Sequence, residues 1–220
     1  MTERITLHNL LPRVFEGMQA DEAISRSEIW LSRSVTFDRG CRVSIEAESG
    51  GGKSSLLAFI YGSRRDYSGT ILFDSTDART LTVDGWCGLR RRSLALLPQE
   101  MRLFGELTVM ENICLKNNLT GCKSRAQIAE MLDRLGIADK AYEPAGRLSI
   151  GQQQRVAAIR AVCQPFDFLL LDEPVSHLDA RHNREVGALF DEEARAHGAG
   201  IITTTVGHNL LLDTLTTIRL

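Results

Sequence analysis

Apolar residues recur along this chain in two rhythms. Where they alternate with polar ones, as in Ile5-Thr6-Leu7 and Val35-Thr36-Phe37, the period of two predicts strands. Where they run together, as in Leu94-Ala95-Leu96-Leu97 and Phe168-Leu169-Leu170-Leu171, they predict strands covered on both faces. Cys41 to Ile45, Gly69 to Phe73, Thr80 to Val83 and Gly200 to Thr205 predict further strands, with Asp38-Arg39-Gly40 as a turn. The polar segment from Glu16 to Glu28 predicts a loop or small insertion.

A helical period takes over in the middle, from Met101 to Gly146. Thr108 precedes Val109-Met110-Glu111-Asn112 as a helix start. Ser124 and Gln127 form a capping box, Ile128, Met131, Leu132 and Leu135 share one face behind it, and Gly136 suits the C-terminal cap. Ser149 and Gln152 repeat the capping pattern before a helix over 153–163. Another helix is predicted over 181–196, with Val186, Leu189 and Phe190 inward. Strands alternating with helices imply an α/β protein with a parallel sheet, preceded by an antiparallel one.

Composition narrows the class. The 220 residues suit one large α/β domain, and 26 basic against 28 acidic residues, net charge -2, do not suggest a nucleic-acid binder. Arg90-Arg91-Arg92 is read as a solvated face. No apolar stretch is long enough to span a bilayer, and no apolar run follows Met1-Thr2-Glu3-Arg4 as a secretory signal would require. The 5 cysteines are scattered without a C-x-x-C, which fits reduced thiols in a cytosol rather than a metal site.

The stretch from Glu46 to Ser55 carries the chemistry. A strand, a glycine-rich turn (Ser49, Gly50, Gly51, Gly52) and a helix beginning near Lys53-Ser54-Ser55 make an anion site, because unpaired N–H groups and the helix dipole point outward there. Lys53 would meet the β- and γ-phosphates and Ser54 would hold Mg²⁺. The phosphate-loop pattern wants glycine where Ala47 stands, and if that position needs positive φ the alanine costs on the order of 1 kcal/mol. Asp172 and Glu173 end a core strand, where α/β sheets bind ligands. Asp172 would face Mg²⁺, and Glu173 would orient and deprotonate the attacking water.

In order after the loop come Gln99, Leu148-Ser149-Ile150-Gly151-Gln152-Gln153-Gln154-Arg155, Asp172-Glu173-Pro174, Ser176-His177-Leu178-Asp179 and His208. Over nearly the whole chain this closely resembles the ATP-binding cassette ATPases of membrane transporters. The resemblance implies a phosphate-loop NTPase core with an N-terminal antiparallel β-subdomain (about 1–93, with the phosphate loop), a helical subdomain (about 100–147) and the rest of the α/β core (about 148–220), all one domain. It implies ATP and Mg²⁺ as ligands. Gln99 would join Mg²⁺ to the segment facing the membrane partner. Ser149, Gly151 and Gln152 would belong to the signature that contacts the γ-phosphate on a second cassette. Asp179 would link the two sites, as well as capping a helix, and His208 would contact the γ-phosphate. Adenine would stack on Phe15, with Trp30 as the competitor.

The implied assembly is a homodimer or heterodimer of cassettes, cytoplasmic and held at the membrane by a separate integral permease. Alternatives are a soluble cassette ATPase outside transport, which usually carries tandem cassettes, coiled coils or basic additions, and a regulatory cassette that binds ATP with little turnover. Ile150, where the family has glycine, brings a β-branched side chain near a phosphate and is expected to slow turnover. The end, from Asn209 to Leu220, reads as a short tail without an accessory domain.

Overall fold

A computed structural model describes every residue except Gln19, Ala20, Ser49, His208, Asp213 and Thr214, and Ala23 by its backbone only. Strands β1 (Arg4–Pro12), β2 (Val35–Asp38), β4 (Tyr67–Phe73) and β5 (Thr76–Asp77) form an antiparallel sheet in the order β2-β1-β4-β5. Strands β3 (Arg42–Glu46), β6 (Leu94–Leu97), β7 (Phe168–Asp172), β8 (Gly200–Thr205) and β9 (Thr216–Arg219) form a parallel sheet in the order β6-β7-β8-β3-β9. Helices are α1 (Glu22–Ser25), α2 (Lys53–Ile60), α3 (Val83–Arg92), α4 (Val109–Asn117), α5 (Arg125–Arg134), α6 (Ile150–Val162) and α7 (Ala180–His197).

The continuous apolar runs work because both faces of the parallel sheet are covered. Ala95, Leu97, Leu169, Leu171 and Ile201 pack with residues of α4 to α7. Their alternates Leu94, Phe168, Leu170 and Ile202 join Val43, Ile45, α2 and the antiparallel sheet. Each fully buried aliphatic or aromatic side chain contributes about 1.5–3 kcal/mol. The register brings three strand ends to one edge: Leu97 pairs with Leu171, Asp172 with Thr204, and Thr204 with Ile45. The segments that follow β6, β7 and β3 therefore leave from one edge, with β8 between the last two.

All three expected caps form. Thr108 with Glu111, Ser124 with Gln127, and Ser149 with Gln152 are reciprocal capping boxes, so α6 begins at Ile150 rather than 153. Gly136, at φ 64°, follows α5 as expected. The expected strand over Thr80–Val83 is a helix start instead: the Thr82 hydroxyl accepts the Gly85 N–H at 3.1 Å and caps α3. Two glycines and an arginine run disguise that helix. Arg90 is not simply solvated, since it donates to the carbonyls of Tyr61 (3.0 Å) and Gly62 (2.8 Å) and lies over the rings of Tyr61 and Trp86. Arg91 and Arg92 are exposed. The expected tail holds an edge strand, β9, pairing Ile45 with Ile218, and the Leu220 N–H reaches the Glu46 carbonyl at 2.9 Å. Its threonine-rich tetrapeptide is too short to carry a pattern. The described residues of the Glu16–Glu28 segment are loop apart from the single turn of α1.

Gly69 sits at φ +86° against the bulge in β1, where a Cβ would collide with the Asn9 carbonyl. Gly69→Ala should lower the unfolding free energy by about 2–3 kcal/mol through backbone strain and overpacking. Gly88, in α3 with nothing within 4 Å of an added Cβ, is the control. Gly88→Ala should stabilise by about 0.5–1 kcal/mol. Urea unfolding of both variants checks the pair.

Candidate active site

The loop between β3 and α2 turns on Gly50 (φ 86°) and Gly52 (φ 93°), with the Gly51 N–H bonded to the Glu48 carbonyl at 3.1 Å. Gly52 is the N-cap of α2 and supplies no capping side chain. By contrast, α3 to α7 each open on a Ser, Thr or Asp whose side chain accepts an N–H. Among the described residues, α2 is thus the long helix whose first-turn donors are left to an outside acceptor, which fits an anion. Ala47 does not adopt positive φ, so the expected strain is absent. Its methyl has another consequence. A Cβ at Gly51 would lie 3.0 Å from the Ala47 Cβ and 3.2 Å from the Glu48 carbonyl, so the loop has room for one methyl across this gap, not two.

Lys53 is buried, with 5% of its surface exposed, and its Nζ donates to the carbonyls of Ala47 and Glu48, each at 2.8 Å. Burial pushes its pKa down, while the Glu173 and Asp172 carboxylates push it back up. Asp172, also buried, accepts the Thr204 hydroxyl at 2.7 Å. Thr204 was not signalled by the sequence; it reads as one of three threonines in β8, and only the strand order puts it beside Asp172. Glu173 stands at φ 49°, half-buried, its N–H on the Thr204 carbonyl at 3.2 Å.

A cavity of about 220 Å³ is lined by Ser54, Ser55, Gln99, Asp172 and Arg64, among others. It brings together the three residues expected to hold Mg²⁺. A carboxylate, a hydroxyl and an amide are hard oxygen donors, and a cation that keeps waters and phosphate oxygens needs few protein ligands. Among the described residues no group of three or more His, Cys, Asp or Glu forms a metal cluster, so these oxygens are the candidates. The Ser55 hydroxyl accepts Arg64 at 2.8 Å.

Phe15 and Trp30 both lie over the loop. A Cβ on Gly52 would meet the Trp30 ring at 3.0 Å and the Phe15 ring at 3.3 Å. Trp30 is 3% exposed and its indole N–H donates to the Gly51 carbonyl at 3.2 Å, so it braces the loop from within. Phe15, half-buried and 6.4 Å from Trp30 in an edge contact, keeps accessible surface.

Other expected residues are held by bonds of their own. Ser149 and Gln152 cap each other through 3.3 and 2.9 Å bonds, and no hydrogen bond among the described residues joins them or Gly151 to the phosphate loop. Gly151 is in helix, where a Cβ would press on the His177 carbonyl at 3.0 Å. Ile150, 51% exposed, leaves the capping box intact and does not distort its neighbour's backbone. Asp179 caps α7, accepting the His182 N–H at 2.9 Å, and that bond with the His182 ring holds its carboxyl below the usual range. Ser49 and His208 lie outside the described residues.

A glycine loop at an uncapped helix, a buried lysine and a carboxylate pair at the end of a core strand define a phosphate-loop nucleoside triphosphatase. Residues 32–176 match the family model described as ABC transporter, and the chain belongs to that family as its ATP-binding, ATP-hydrolysing cassette. It is 36% identical over 185 residues to the thiamine import ATP-binding protein ThiQ of Cereibacter sphaeroides, covering 83% of this chain and 78% of that one. It is 30% identical to the lipoprotein-releasing system ATP-binding protein LolD of Porphyromonas gingivalis, covering 91% and 93%. The dimeric structure of MJ0796, a bacterial ABC transporter cassette, superposes with a TM-score of 0.75 at 25% identity, covering 98% and 94%.

Three substitutions test the loop. Lys53→Ala should abolish the rise in melting temperature that Mg-ATP produces by binding only the native state. Gly51→Ala should weaken ATP binding about tenfold, and Ala47→Gly in the same chain should restore it, because close neighbours couple. An equal loss with and without Ala47→Gly would contradict the shared-methyl account.

Proposed function

We propose that this cassette hydrolyses Mg-ATP as the motor of a membrane transporter, working as a dimer on a separate permease. The observation that carries the reading is the meeting of Ser54, Gln99 and Asp172 on one cavity, with Lys53 next to Ser54 and Glu173 next to Asp172 in the chain. Lys53 exchanges its loop carbonyls for the β- and γ-phosphate oxygens. Ser54, Gln99 and Asp172 would hold Mg²⁺, which supplies charge neutralisation between those phosphates. Asp172 is oriented by Thr204. Glu173 aligns the attacking water and takes its proton. Phe15 stacks on adenine, and His208 reaches the γ-phosphate.

No hydrogen bond among the described residues joins Ser149, Gly151 or Gln152 to their own phosphate loop, and in this reading a second copy supplies them to this site. A two-fold axis satisfies both sites at once, with Asp179 near the crossing. The relatives' names, thiamine import and lipoprotein release, differ in cargo and direction, so neither is carried over. Among the described residues no helix is long and apolar enough to cross a membrane. In this reading the permease is a separate chain, as the relatives named as ATP-binding proteins suggest, and the cassette sits on its cytoplasmic side. No direct nucleic-acid contact is part of it.

Glu173→Gln should cut turnover by about 10²–10⁴ while leaving ATP binding intact. ATP should then trap a dimer visible by size-exclusion chromatography. Full turnover in this variant would move the base elsewhere. Ile150→Gly should raise turnover or tighten the ATP dimer. A fall in turnover both alone and with the permease would show that Ile150 does not handicap the site.

A further inference from the structure

Three non-glycine residues beside the site adopt left-handed backbone: Met101 (φ 57°), Arg102 (φ 51°) and Glu173 (φ 49°). L residues take that conformation only when their surroundings impose it. All three carbonyls accept hydrogen bonds from side chains of one helix. Gln154 of α6 donates to the Glu173 carbonyl at 3.2 Å, while its own carbonyl takes the His177 N–H at 3.0 Å. Arg160 of α6 donates to the Arg102 carbonyl at 2.8 Å and, through its other nitrogen, to the Met101 carbonyl.

Neither side chain is explained by packing alone. Gln154 is 2% exposed, in a position an apolar residue would fill more cheaply. Among the described residues Arg160 has no carboxylate partner, and burial lowers its pKa. Its charge acts on Lys116, which is cationic too and feels Arg90 as well. A planar guanidinium earns its place here by spanning two successive carbonyls, which a lysine cannot do.

We infer that Gln154 and Arg160 are positioning residues, by which α6 fixes the backbone of the two segments that carry Glu173 and Gln99. This rests on the proposed roles of those two residues. The segments leave neighbouring strands, β7 and β6, whose paired registers end at Asp172 and Leu97; beyond them the Glu173 N–H still reaches the Thr204 carbonyl at 3.2 Å, but the residues that follow leave the ladder. The two α6 side chains replace the missing ladder. Because Ser149 and Gly151 open the same helix, whatever seats its N-terminus acts on both segments at once.

Hydrogen–deuterium exchange and kinetics of Gln154→Met and Arg160→Lys test this. Gln154→Met should speed exchange about tenfold in 173–178 and leave 99–104 unchanged; Arg160→Lys should do the reverse. Gln154→Met should lower kcat about tenfold to a hundredfold with KM held within about twofold, and should cost nothing further in a Glu173→Gln background. Arg160→Lys should raise the Mg²⁺ needed for half-maximal turnover and shrink the Mg²⁺-dependent part of the ATP melting shift, both effects vanishing with Gln99→Ala. If Gln154→Met does not fold, Gln154→Glu, which keeps the acceptor for His177, takes its place with the same expectations. Unchanged exchange, or equal kinetic losses in both backgrounds, would overturn the inference. A wild-type chain without ATPase activity would contradict the proposed function instead and leave the exchange experiment decisive.

Discussion

Burying the Lys53 ammonium is the constraint around which the site is built. A buried cation needs close oxygens. Two come from the loop's own carbonyls at Ala47 and Glu48, and the Asp172 and Glu173 carboxylates add their charge from β7. Parallel register brings them within reach. Strand β8 lies between β3 and β7, which is why a β8 residue, Thr204, orients Asp172. The two-faced apolar core holds this register, since a slip of one residue would turn Leu169 and Leu171 toward the wrong layer.

Helix ends follow a division of labour. The longer helices away from the phosphate loop satisfy their own first turns with Ser, Thr or Asp, and three do so with a full capping box. The helix after the phosphate loop opens on Gly52 and leaves its donors outward. The fold therefore keeps one helix dipole for a ligand and closes the others. Ser149 and Asp179 cap their helices, and in the proposed function each would serve the nucleotide site as well, because a side chain that ends a helix also stands at its accessible tip.

Much of this was legible along the chain because it depends on near neighbours. The buried strands β6, β7 and β8, the capping boxes and the glycine loop all lie in local pattern. What was missed depends on contacts through space. The methyl of Ala47 and the bare Cα of Gly51 compensate across the loop, so Ala47 read as a defect. Trp30 read as an adenine competitor but is a buried brace. Helix α3 was masked by Gly85 and Gly88, and β9 by its short polar sequence. Gln154 stands third in a glutamine run and Arg160 among alanines, with nothing nearby to signal which loops they grasp.

In the proposed dimer the site is incomplete in one copy, since a second chain would bring Ser149 and Gly151 to the loop that holds Lys53. Specific ATPase activity, measured against protein concentration alongside sedimentation of the same samples, tests this most directly. Activity per chain should fall on dilution in step with the dimer fraction. Constant specific activity in samples that sediment as monomers would contradict the claim that two copies build each site.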